Sequence, residues 1–319
     1  MATAQAHKSE QLSFGDARVL LFDPVAANRA ATRAALTTLG FRGVVAISDI
    51  RELERIWNDQ PFDLLVADIT EYSAAVCDMV RSMRAGGVGS NPFAHVVLMA
   101  WKLERDSVQR ALSCGSDDLI TRPFSIDFFA ARVKVHTEAR KPFVVTSEYL
   151  GPDRRKEANR DAPNLMTVPN MLLAKAREFF DGAASAIEEI RVAREKIEIE
   201  RARKTAFKVA CLLHTMREHV TASQPIDGDI QKLEQTVCDL ADRSSDFLDE
   251  AAAVVIAELG QAIAEPASSD AEKLSELDRH TRALLNVLYP SQSKEELMRE
   301  VAASVAAMKA RDRKRQKTA

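Results

Sequence analysis

Two aspartates and one arginine stand where apolar runs end. Asp23 follows "VLLF", Asp68 follows "LLVA", and Arg122 follows "DLIT" directly before Pro123. Two carboxylates and a guanidinium in one cleft could hold a divalent cation and a phosphoryl group. Hard oxygen ligands suit magnesium, which uses one or two carboxylates and keeps several waters. In such a site Asp68 would be the nucleophile and would form an acyl phosphate. Plainer roles are open to the same residues: either acid can cap the helix that follows it, and Arg122 can be a structural bridge to either acid.

For these three side chains to meet, the chain between them must fold in a particular way. Residues 16–140 alternate short apolar runs with amphipathic ones. "RVLLF", "GVVAIS", "FDLLVAD", "AHVVLMA" and "DDLITRPF" read as strands, each followed by a helical run. Gly40 closes the first helix and Asp49 caps the second. This pattern predicts an α/β domain with a five-stranded doubly wound parallel sheet, flavodoxin-like in architecture, covered by helices on both faces. Such sheets place their sites beyond the carboxyl ends of the strands. The expectation is that the first, third and fifth strands lie together at the centre, so that Asp23, Asp68 and Arg122 converge.

The flanking segments differ in character. Residues 1–15 are polar and read as a flexible N-terminus. Residues 141–170 carry four prolines and the cluster Arg154, Arg155 and Lys156, and read as a Pro-rich basic linker with a solvated cluster. Residues 171–310 have almost no strand signal and predict an all-α helical bundle or coiled-coil region. A long helical stretch covers roughly 170–222. One heptad-like seam runs Ile230, Leu233, Val237, Leu240, Ser244, Phe247, Ala251, Val254, Glu258. A second runs Leu274, Leu277, Thr281, Leu284, Leu288. A third runs Leu297, Val301, Ser304, Met308, behind a capping box of Ser293 and Glu296. Residues 311–319 form a basic tail expected to fray.

Bulk properties narrow the classes. The chain has 319 residues, 46% apolar, with a formal net charge of -3, so nothing drives it as a whole toward nucleic acid or membrane. No apolar run is long enough to span a bilayer, and no secretory leader pattern opens the chain. The four cysteines form no CxxC pair, which fits a reducing cytoplasm. HExxH, P-loop and GxSxG motifs are absent, and no enzyme activity of its own is expected. "AGGVGSNP" follows a helix and precedes a strand, the wrong context for a dinucleotide loop, and is expected to be flexible. His214, His219 and His280 read as satisfied core or surface residues. Nucleic-acid binding is disfavoured, because the one strong basic run is the tail.

The order and spacing of "LLFD", "DLLVAD", "VVLMAW" and "TRPF" resembles the receiver domain of two-component response regulators, over under half the chain. The resemblance implies that Asp68 accepts a phosphoryl group from a histidine kinase or a phosphotransfer protein. It implies a magnesium ion held by Asp23, Asp68 and the backbone carbonyl of Thr70, with Arg122 at the phosphoryl-binding lysine position. It also implies a cis bond between Arg122 and Pro123. Several positions depart from the family pattern. Pro24 replaces the second metal-side acid, so magnesium affinity should fall. Ala100, followed by Trp101, replaces the hydroxyl residue ending the fourth strand, and Leu119 stands at the aromatic switch position. The Met-Pro turn after the acceptor is absent, and Arg122 is a planar fork rather than a flexible point charge. Two readings remain open: a phosphorylated response-regulator-like protein signalling through a helical module with an unknown protein partner, or a pseudo-receiver scaffold that works by protein contacts alone. Sustained heptads make a homodimer reasonable.

Overall fold

The computed structural model describes residues 12–155, 165–177, 183–244 and 247–316. The chain divides into two units, Met1–Arg194 and Glu195–Ala319.

The first unit alternates strand and helix: β1 (Arg18–Phe22), α1 (Ala26–Thr38), β2 (Gly43–Ile47), α2 (Ile50–Asp59), β3 (Leu64–Asp68), α3 (Ser73–Arg84), β4 (His95–Ala100), α4 (Arg105–Ser113), β5 (Asp118–Thr121) and α5 (Ile126–Glu138). The strands form one parallel sheet in the order β2-β1-β3-β4-β5. Strand side chains alternate between faces. Leu20, Phe22, Leu65, Ala67, Val96 and Leu98 join one core with Leu53 and Trp57 of α2 and Val76, Val80 and Met83 of α3. Val19, Leu21, Leu64, Val66, Val97 and Met99 join the other with Leu36 of α1 and Phe129 and Val133 of α5. Burial on both faces explains the near-continuous apolar runs, each such side chain contributing about 1.5–3 kcal/mol. Asp49 caps α2, its carboxylate accepting from the Arg51 amide at 3.0 Å.

One expectation about the sheet is corrected. β5 is an edge strand, and the three inner strands are β1, β3 and β4. Arg122 therefore reaches its partners from the rim, across the end of β4.

The linker reading is also corrected. Residues 141–170 contain β6 (Phe143–Val145), β7 (Leu150–Pro152) and β8 (Leu165–Met166), an antiparallel sheet in the order β7-β6-β8. α6 (Met171–Ala176) follows and belongs to this same unit. Phe143 is fully buried and packs edge-on to Phe93. Strands this short tolerate proline at their ends, so the prolines did not exclude them. Arg154 is no solvated charge, since it donates to Ser116 Oγ at 2.8 Å. Arg155 pairs with Asp153 at 2.9 Å, and Lys156 lies outside the described residues. At the N-terminus, Ser13 N donates to Ala176 O at 2.8 Å and Phe14 stacks on Phe41, so the segment just before β1 is packed rather than loose. Residues 1–11 lie outside the described set. The glycine-rich turn after α3 is packed as well: Val88 is buried and Gly89 N donates to Asn58 Oδ1.

The second unit is helical, with the division falling inside α7 (Ala183–Thr221), followed by α8 (Asp227–Ser244), α9 (Glu250–Ala264), α10 (Asp270–Leu288) and α11 (Lys294–Gln316). The second seam holds throughout: Leu274, Leu277, Thr281, Leu284 and Leu288 are all buried. The first seam does not. α8 ends at Ser244, and Asp249 starts α9 afresh by accepting from Ala252 N at 2.8 Å. The buried face of α9 is then Ala252, Ile256, Leu259 and Ile263, while Val254 is exposed. In α11 the buried residues are Leu297, Val301 and Val305, and Met308 is exposed. Ser293 Oγ accepts from Glu296 N at 3.3 Å, one half of the predicted capping box. The basic tail remains helical to Gln316, and residues 317–319 lie outside the described set. Among the described residues, no helix is long and apolar enough to cross a membrane.

Candidate functional site

Asp23, Asp68 and Arg122 meet at the carboxyl end of the sheet. Asp23 follows β1, Asp68 ends β3, and Arg122 follows β5 and is joined to Pro123 by a cis bond, as expected. Arg122 Nη2 donates to Asp23 Oδ2 at 2.8 Å, and Arg122 Nε lies 3.4 Å from Asp68 Oδ2. All three side chains are buried.

The two acids share one local device. Asp23 Oδ1 accepts from Val25 N at 2.9 Å, and Asp68 Oδ1 accepts from Thr70 N at 2.9 Å. Each carboxylate thus closes the turn that leaves its strand. The plain structural role and the chemical one coexist in the same side chain, divided between its two oxygens. Pro24 begins the first of these turns, where its fixed φ suits the chain reversal. Burial raises the Asp23 carboxyl above its ordinary value; the Val25 amide and the Arg122 charge oppose this, while the nearby Asp68 charge adds to it.

The sequence did not announce how Arg122 is held. Its Nη2 also donates to Thr32 Oγ1 of α1 at 3.0 Å and lies 3.5 Å from Met99 Sδ of β4. The guanidinium sits 5.2 Å from the centre of the Phe124 ring, a cation–π contact. Thr32 could have been found as the polar residue on the buried face of α1, beside Ala35 and Leu36. Arg29 Nη1 donates to the carbonyl of Asp23 at 2.7 Å and to that of Pro24 at 3.3 Å, placing a second cation at the same corner.

The oxygens differ in availability. Both Asp23 oxygens are engaged, whereas Asp68 Oδ2 is buried with no hydrogen bond, as is the facing Arg122 Nε. As placed, the guanidinium fills the gap between the acids, Pro24 offers no side-chain oxygen, and the donor set does not fit a divalent cation. Thr70 meets Asp68 through its amide, and its exposed hydroxyl accepts from Trp101 N at 3.4 Å. Ala100 is buried and Trp101 is 46% exposed. Two clefts among the described residues, about 930 Å³ beside Phe14 and Arg42 and about 470 Å³ beside Phe62 and Met171, share no lining residue with this site. Two of the three histidines have partners as expected: His219 Nδ1 meets Asp229 Oδ2 at 2.6 Å and His280 Nδ1 meets Glu258 at 3.4 Å.

The chain is similar to known regulators over part of its length. It is 31% identical over 137 residues to the regulatory protein VirG of Rhizobium radiobacter, a match covering 43% of this chain and 48% of VirG. It is 27% identical over 120 residues to a probable chemotaxis protein CheY of Rhizobium etli, covering 37% of this chain and 89% of that protein. The chain therefore spans about half the length of VirG. Among solved structures, Vibrio cholerae CheY4 is 17% identical with a TM-score of 0.33, covering 38% of this chain and 98% of that one. A response regulator from Thermotoga maritima is 22% identical with a TM-score of 0.32, covering 37% of this chain and 95% of that one. No protein-family profile matches the chain.

Proposed function

We propose, from the premise that β1 to α5 form a receiver domain of the two-component response-regulator class, that the chain is a signalling protein in which Asp68 accepts a phosphoryl group. The donor is a histidine kinase or a phosphotransfer protein, and the setting is cytoplasmic. The helical unit passes the signal to a protein partner, and self-association of that unit into a homodimer goes with this reading. The protein is a regulator rather than an enzyme.

One observation carries the proposal. Asp68 Oδ2 is the oxygen of the acid pair that no hydrogen bond occupies, and it faces Arg122 Nε at 3.4 Å. That oxygen attacks the phosphorus of a phosphohistidine. The P–N bond breaks, the imidazole leaves and takes a proton, and Arg122 bears against the negative charge of the transferred group. An acyl phosphate such as acetyl phosphate tests this, followed by intact mass measurement with magnesium present and with a chelator. One added phosphoryl that vanishes in Asp68→Asn is the expected result. No adduct under either condition would overturn it.

A second reading has its own support. The end of β4 offers Ala100 in place of a hydroxyl, and Arg122 is already bonded to Asp23. A pseudo-receiver acting by surface contacts alone would give no adduct yet still bind its partner.

A further inference from the structure

The geometry points to Arg122 as the built-in cation of this site: its guanidinium takes the place between Asp23 and Asp68 that a divalent metal would need, so the site works without one. This deepens the receiver reading and rests on it.

Charge and anchoring argue for it together. The guanidinium bridges both acids, at 2.8 Å to Asp23 and 3.4 Å to Asp68, and the Arg122 side chain is only 7% exposed. Thr32 Oγ1, Met99 Sδ and the Phe124 ring hold it on its other sides. A cation entering between the acids would have to displace Arg122 from these contacts and leave a buried charge unpaired, which is strongly unfavourable. A lysine could swing aside on its flexible stem, whereas a planar fork fixed at several points cannot.

The Asp23 side, where a metal would take further ligands, is closed as well. Asp23 Oδ1 is committed to the Val25 amide, and Pro24 brings no side-chain oxygen. The carbonyls of Asp23 and Pro24 both accept from Arg29, so an entering ion would meet positive charge there. Arg122 thereby offsets one of the two carboxylate charges in the resting protein while lying against both. It stands ready to bear against a transferred phosphoryl group, with no ion to be recruited first.

Calorimetric titration of the full chain with magnesium chloride and with manganese chloride tests the inference. The wild type should give no saturable heat at millimolar cation. Arg122→Lys and Arg122→Met should each gain saturable binding, and adding Asp23→Asn should remove it. Melting curves give a second readout, with added magnesium raising the melting temperature of the Arg122 variants and leaving the wild type unmoved. If Arg122→Met does not fold without metal, Arg122→Lys decides. Submillimolar magnesium binding by the wild type would overturn the inference, as would folded Arg122 variants that gain no binding. Either result leaves Asp68 standing as an acceptor. Conversely, a failed phosphodonor experiment removes the acceptor and leaves the titration result intact.

Discussion

The Arg84 guanidinium meets the Asp117 carboxylate at 2.9 Å, with both side chains almost wholly buried. Arg84 also donates to three carbonyls, those of Gly115, Pro92 and Ala94, at 3.0, 2.7 and 2.7 Å. Arg140 approaches Asp117 from the other side at 3.5 Å, and both guanidiniums flank the Phe143 ring. Burial pushes the Asp117 carboxyl up, but the Arg140 and Arg84 charges outweigh it and hold the group below its ordinary value. Replacing Arg84 by Met would take one of two cations from a buried carboxylate and strand three carbonyls. We expect Arg84→Met to destabilise the first unit by about 3–5 kcal/mol, measured by denaturant unfolding.

His95 predicts a pH effect. It is buried at the start of β4, with Nε2 3.1 Å from the His136 carbonyl. Burial, helped by the nearby Arg140 charge, pushes its pKa down to about 3. The imidazole stays neutral in the folded protein while the unfolded chain takes up a proton below about pH 6.5. Its stabilising contribution is therefore complete above about pH 6.5 and falls by about 1.4 kcal/mol per pH unit as the solution is acidified toward pH 4. Asp23 works the other way, because its raised carboxyl is relieved by protonation. Unfolding free energy measured across this window for wild type and His95→Gln isolates the histidine, and the variant should show the shallower slope.

Gly151 and Gly115 touch where β7 crosses the turn after α4. A Cβ on Gly151 would lie 2.6 Å from Gly115 Cα, and one on Gly115 would lie 2.5 Å from the Leu150 carbonyl. Gly151→Ala should cost about 1–3 kcal/mol by overpacking. The change should loosen β6 and β7 and speed tryptic cleavage at Arg154 and Arg155, followed by gel electrophoresis and mass measurement.

Lys273 of α10 caps another helix. Its ammonium is buried and donates to the carbonyls of Ala262 and Ile263 at 2.6 and 2.9 Å, and to that of Glu265, at the end of α9. Cations there satisfy orphan carbonyls and oppose the helix dipole. Lys273→Met should destabilise the helical unit by about 1.5–3 kcal/mol and speed amide exchange in the last turn of α9.

The legible parts of this fold are those with strong local signals. Five apolar runs bounded by turns identify β1 to β5, and Asp49 before a periodic run identifies the start of α2. Strand order has no such signal, and the placement of β5 at the edge emerges only from the completed sheet. Asp23, Asp68 and Arg122 were readable because each ends an apolar run. Arg84 was not, since an arginine closing an amphipathic helix looks solvated until its carbonyl partners, from distant loops, are in place. β6 to β8 span three residues or fewer each, too short to display alternation. The first helical seam misled because its three-and-four spacing continues by coincidence across the break between α8 and α9, where Asp249 resets the register.

The chain has two tryptophans, and they occupy opposite environments. Trp57 is stacked on Phe62 in the core, whereas Trp101 is 46% exposed with its amide beside Thr70, two residues after Asp68. The protein thus carries its own optical label: a solvent-facing indole whose emission lies to the red of the core one. Quenching or blue-shifting of that red component would report in real time whatever arrives at Asp68, with no dye attached.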